Sequence, residues 1–142
     1  MTWHCGPVGI ESLAARKLCG LGRYAKAIEA CPETTFILGH SGALEFEAGL
    51  KLAQRHEKVW LEISCQSLSN VRRVVREGPP DKILFGSDWP FYHQAIPLAK
   101  ALLATEDLDP EVRASLLWKN ACRLYGVDPE TLPLPNRQGA TS

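Results

Sequence analysis

The stretch DKILFGSDWPF, Asp81 to Phe91, decides how this chain is read: an apolar run, Ile83 to Phe85, stops at Gly86, Ser87 and Asp88 and then meets Trp89 and Pro90. A short run of β-branched and aromatic residues has the composition of a buried strand. In a parallel sheet all strands end on the same edge, and ligands gather outside those carboxyl ends. A carboxylate two residues beyond such a run is therefore placed where chemistry is done.

Two further runs share that length and composition, TTFILG (Thr34–Gly39) and KVWLEIS (Lys58–Ser64). Helical patterns lie between and after them. ALEFEAGLKLAQRH (Ala43–His56) is amphipathic, and SNVRRVVREG (Ser69–Gly78) puts Val71, Val74 and Val75 on one stripe before Gly78 and Pro79 end it. DPEVRASLLWKNACRLYG (Asp109–Gly126) opens with Asp109 as N-cap and Pro110 at the first helical position. It carries Leu116, Leu117, Ala121 and Leu124 at helical spacing and closes at Gly126. Strands alternating with helices predict βα units, a parallel sheet and an α/β fold. At the N-terminus only Thr2 to Cys5 can be strand before Gly6 and Pro7 break it, so the chain is expected to lack the beginning of its fold. The last residues, DPETLPLPNRQGATS, hold three prolines and small polar residues, and are read as an irregular arm with a disordered tail.

The spacing repeats. From Pro32 to His40 is a step of eight, and from Pro80 to Asp88 is also eight, so each unit delivers one polar side chain to the same edge. His4, in WHCG, occupies the corresponding place after the first strand. Two imidazoles and a carboxylate converging there suit a divalent metal or general acid–base work. Plainer roles stand beside these: His40 as a hydrogen-bonded turn residue, Asp88 as the N-cap of the next helix, and His4 as a terminal residue. His56 reads as a surface residue at a helix end and His93 as a solvated helix start. Glu62 shares a strand face with Trp60 and Ser64, and serves either a polar barrel interior or a salt bridge. Cys65, at a strand end, is placed to reach the site, with a buried inert thiol as its plainer reading.

Composition narrows the function classes. The chain has 142 residues, enough for one domain, with 16 basic and 16 acidic side chains that cancel. No block of like charge or basic aromatic face is present, which argues against a nucleic-acid partner. No apolar run approaches the roughly 20 residues of a membrane helix, so a cytoplasmic protein is expected. Five cysteines, odd in number and never in a C-x-x-C pair, argue against a disulfide framework or a structural zinc knot.

FILGHSG, KVWLEIS, KILFGSDWPF and LLWKNACRLYG, in this order, resemble the C-terminal half of the amidohydrolase superfamily, in its amidohydrolase-related branch of TIM-barrel metal-dependent enzymes. The resemblance implies strands five to eight of a (β/α)8 barrel with their helices over residues 1–126, followed by the arm and tail of 127–142. It implies metal binding by His4, His40 and Asp88, and catalysis by Asp88 and His40. Trp89 and His93 are weaker candidates for binding substrate, with Trp89, Phe91 and Tyr92 offering an aromatic wall beside Asp88 and Arg23 or His93 able to meet a carboxylate. The implied activity is metal-dependent hydrolysis of a lactone, amide or related carbonyl bond of a small organic acid. Zinc is the first expectation for the metal, with manganese or iron as alternatives. A related branch performs metal-assisted decarboxylation, and a non-catalytic half-barrel acting as an interaction module is a further alternative. The family's His-x-His pair is missing, and a full barrel needs roughly 250 residues. The chain is thus expected to be a fragment with little activity alone, or a half-barrel whose sheet edges pair in a homodimer, or a decayed relative.

Overall fold

A computed structural model describes residues 1–131 of the chain. Four strands, β1 (Thr2–His4), β2 (Phe36–Gly39), β3 (Val59–Glu62) and β4 (Ile83–Leu84), form one parallel sheet in the order β1-β2-β3-β4. Thr2 is opposite Ile37, Phe36 opposite Val59 and Leu61 opposite Ile83. All four strands lie within the runs read as strand from composition. Each is shorter than its run; β2 starts two residues late, and β1, β3 and β4 end before their runs do.

The helices are α1 (Leu13–Cys19), α2 (Leu21–Ala30), α3 (Phe46–Arg55), α4 (Leu68–Glu77), α5 (Ala95–Ala104), α6 (Pro110–Ala114) and α7 (Asn120–Tyr125). Helix α4 runs as its valine stripe predicts: Val71, Val74 and Val75 are buried and Ser67 caps its start through the Asn70 N–H. Leu21 and Ile28 of α2 and Phe46, Leu50 and Ala53 of α3 join Leu38, Val59, Leu61 and Ile83 in a single core. Lys82 secures the entry to β4, donating to the carbonyls of Ala53 and His56 at the C-terminal end of α3. A cation belongs there because the last carbonyls of a helix carry partial negative charge. His56 sits in that same turn as the C-cap of α3, as expected of it.

Two helical expectations are corrected. The helix expected from Ala43 begins at Phe46, since a 3-10 turn (His40–Glu45) precedes it with His40, Ser41 and Ala43 all at positive φ. The segment from Asp109 to Gly126 is not one regular helix. Asp109 caps α6 and Gly126 ends α7 in the left-handed conformation, but a π-helical turn (Ser115–Lys119) divides them. There the Leu116 carbonyl accepts the Phe85 N–H. The buried Asn120 side chain donates to the carbonyls of Pro80 and Ile83, tying the last helix to β4. After Gly126 the described residues contain a short 3-10 turn, Pro129–Thr131, and the rest of the expected arm and tail lies outside them. No helix among the described residues is long and apolar enough to cross a membrane.

Candidate functional site

The carboxyl ends of the four strands converge on one cleft of about 830 Å³. His4 ends β1, His40 follows β2, Cys65 and Gln66 follow β3, and Asp88 follows β4; all five line the cleft. His40, Cys65 and Asp88 each leave their strand at a φ of +57 to +61. Side chains other than glycine pay roughly 1–2 kcal/mol for that region, and such backbone conformations persist where surrounding contacts over-determine them. The consequence is directional: three chains that would otherwise run on past the sheet turn sharply and present donor atoms to one volume.

His40 is held most firmly. Its ring is 7% exposed, with Nδ1 2.7 Å from the Ser64 hydroxyl and Nε2 3.0 Å from Nδ1 of His4. Its backbone N–H donates to Glu62, and its carbonyl accepts from the Gln66 amide. Glu62 also accepts from the Ser64 N–H and hydroxyl. The strand alternation that put Glu62 and Ser64 on one face is observed. What alternation could not supply is the β2–β3 register that brings this face against His40. His4 is less enclosed; its carbonyl accepts from the Tyr24 hydroxyl.

Asp88 does not act as a helix cap, because α5 begins only at Ala95, behind Gln94. Its Oδ2 instead accepts the Cys65 thiol at 3.1 Å. Of the two readings of Cys65, the placement at the site is the one found: its left-handed turn carries the side chain out of the core to an exposed position in the cleft. Desolvation, and next the Asp88 carboxylate, push its thiol up to about 12. The donor atoms of His40, Cys65 and Asp88 lie within 4.8 Å of one another. Two imidazoles, a carboxylate and a thiol form a donor set that fits a zinc-class ion, borderline-soft and content with N, O and S ligands.

The aromatic side of the cleft differs in detail from the expectation. Phe91 and Tyr92 line it together with Val8, Ile10 and Leu44. Trp89 is 64% exposed and His93 is also exposed, its Nδ1 accepting the Ala95 N–H, and neither is among the lining residues. The glycine of the GSDWP segment has a steric reason. A Cβ at Gly86 would stand 1.8 Å from Oε1 of Glu62, so glycine makes the room in which that carboxylate reaches Ser64 and His40.

Compared with protein-family models, residues 22–127 match the family described as amidohydrolase. Among solved structures the chain is similar to Amidohydrolase 2 from Bifidobacterium longum subsp. infantis, at 23% identity and a TM-score of 0.65, covering 89% of this chain and 49% of that one. It is similar to an amidohydrolase from Burkholderia multivorans with bound zinc (19% identity, TM-score 0.56, 75% and 50% covered). It is also similar to 2,6-dihydroxybenzoate decarboxylase from Rhizobium (18% identity, TM-score 0.61, 89% and 51% covered). At these identities the shared property is the fold: a four-stranded parallel sheet with its helices, equivalent to about half of an amidohydrolase barrel. The chain spans about half the length of these structures. A comparison with curated proteins gives no match.

Proposed function

The chain belongs to the amidohydrolase family, and we propose that it supplies the metal-binding edge of a metal-dependent hydrolase, its strands standing where a full barrel has strands five to eight. The observation that carries this reading is the convergence of donor atoms from successive strand ends, His40, Cys65 and Asp88 within 4.8 Å and His4 against His40. His4, His40 and Asp88 are the proposed ligands, with Cys65 as a further donor. A divalent ion held there would make bound water more acidic and polarise a carbonyl.

The chain's own groups do the rest. Asp88 commits Oδ2 to the Cys65 thiol, so its other oxygen takes a proton from water or a ligand position. His40, fixed by Ser64, holds one ring nitrogen toward the cleft for ligation or proton transfer. Val8, Ile10, Leu44, Phe91 and Tyr92 give the cleft an apolar side for the body of a small organic acid. The substrate class proposed is a lactone, amide or related carbonyl bond of such an acid.

The test is zinc content per chain after chelation and reloading, wild type beside Asp88→Asn. About one zinc in the wild type and its loss in the variant is expected; equal metal in both would sink the assignment. The same aromatic wall also suits an aromatic acid that loses its carboxylate, a second reading favoured by the fold shared with a decarboxylase. Products separate the two, since hydrolysis incorporates isotopically labelled water and decarboxylation releases carbon dioxide.

A further inference from the structure

We propose that Glu62 and Ser64 are positioning residues that fix the tautomer of His40, placing its ring proton on Nδ1 and presenting the Nε2 lone pair to the cleft. The direction follows from counting protons. A serine hydroxyl has one hydrogen to donate, and a carboxylate only accepts. Ser64 Oγ lies 2.6 Å from Oε2 of Glu62, which can take part only as acceptor, so the hydroxyl proton is directed there. The same oxygen lies 2.7 Å from Nδ1 of His40 and has only lone pairs left to offer. Nδ1 must then carry the hydrogen, and in the neutral ring Nε2 is bare. Nδ1 of His4 stands 3.0 Å from that nitrogen, so the two imidazoles bring ring nitrogens to one place in the cleft.

Burial makes the chain of hydrogen bonds decisive. Ser64 is 2% exposed and His40 7%, so water is poorly placed to substitute for either partner, and hydrogen bonds in such surroundings strengthen one another. The carboxylate that orients the chain is itself fixed by the backbone N–H groups of His40 and Ser64. It occupies the space left open at Gly86. A free histidine in water favours the opposite tautomer, so this arrangement imposes a state that the side chain would not choose. A partner on the far ring nitrogen is the usual device by which a protein sets which nitrogen of a histidine faces a ligand.

That Nε2 then serves a metal rests on the reading in the preceding subsection; the tautomer does not, and the experiment separates them. Ring-nitrogen correlation spectra of 15N-histidine-labelled, chelator-treated protein, recorded above the pH range in which histidines titrate, report the tautomer directly, with His40→Gln assigning the signal. Protonated Nδ1 in the wild type, a switch to protonated Nε2 in Ser64→Ala, and the wild-type pattern in Ser64→Thr are expected. Protonated Nε2 in the wild type, or no change in Ser64→Ala, would overturn the proposal. Should Ser64→Ala fail to fold, the wild-type and threonine spectra still decide. Zinc titration of the same variants is expected to show about 10–100-fold weaker binding for Ser64→Ala. A switched tautomer with unaltered zinc affinity upholds the hydrogen-bond chain and overturns His40 as a ligand.

Discussion

Along the strands, Phe36, Leu38, Val59, Leu61 and Ile83 are buried in extended backbone within one apolar core. Within four residues of the strand ends, His40, Ser41, Cys65 and Asp88 leave in left-handed conformations, and His40, Ser64 and Gln66 are buried as polar groups joined by hydrogen bonds. The first region is optimised for burial, and almost any apolar residue of the right volume would serve there. The second spends part of the stability the first provides, since left-handed turns and buried polar groups each cost free energy unless contacts compensate. Substitutions on either side of this line should therefore differ in kind, stability moving on one side and ligand chemistry on the other.

The largest expected effect is in the strands. Leu38→Ala, at a fully buried position, is expected to lose about 3–5 kcal/mol from the cavity and lost transfer energy, read by urea unfolding, with zinc binding lost only as the fold is lost. Asp88→Asn should do the reverse, weakening zinc binding by more than about 100-fold, as removal of a direct ligand should exceed a supporting contact, while the unfolding midpoint stays nearly fixed. A midpoint that collapses with Asp88 would erase the distinction between the regions. Gly86→Ala is expected to be intermediate: its Cβ displaces the Glu62 carboxylate, weakening zinc binding about tenfold as a supporting contact would, with a small change in stability. The smallest effect sharpens the comparison. Cys65→Gly removes a left-handed penalty of roughly 1–2 kcal/mol and incurs part of it back as chain entropy, so it should raise stability by about 0.5–1 kcal/mol on denaturant titration.

How much of this was legible depended on the range of the interaction. Strands β2, β3 and β4, the valine stripe of α4, the Asp109 cap and the Gly126 stop are local patterns, and each is found within the stretch that predicts it. His40 and Asp88 could be singled out because the step of eight repeats and because strand ends in a parallel sheet share an edge. Glu62 could be placed on a face but not against His40, since that contact depends on strands paired across 22 residues. The plainer reading of Cys65, a thiol packed inward beside an apolar strand, fails because its left-handed turn carries the side chain outward. The π-helical turn at Ser115–Lys119 has no periodic signature. The burial of the polar Asn120 within the helical stripe becomes intelligible only beside the two carbonyls it serves. Of the aromatic residues after Asp88, Phe91 and Tyr92 line the cleft and Trp89 does not, a division set by the turn that follows Asp88.

The strand order has a consequence for how the molecule is made. Each strand pairs only with its neighbours in sequence, β1 with β2, β2 with β3 and β3 with β4, so the sheet can grow in the order in which a ribosome delivers it, N-terminal parts first. Asn120, which ties down the entry to the strand carrying Asp88, emerges after every strand is already out. In order of synthesis, the strands thus precede the residue that anchors the last donor.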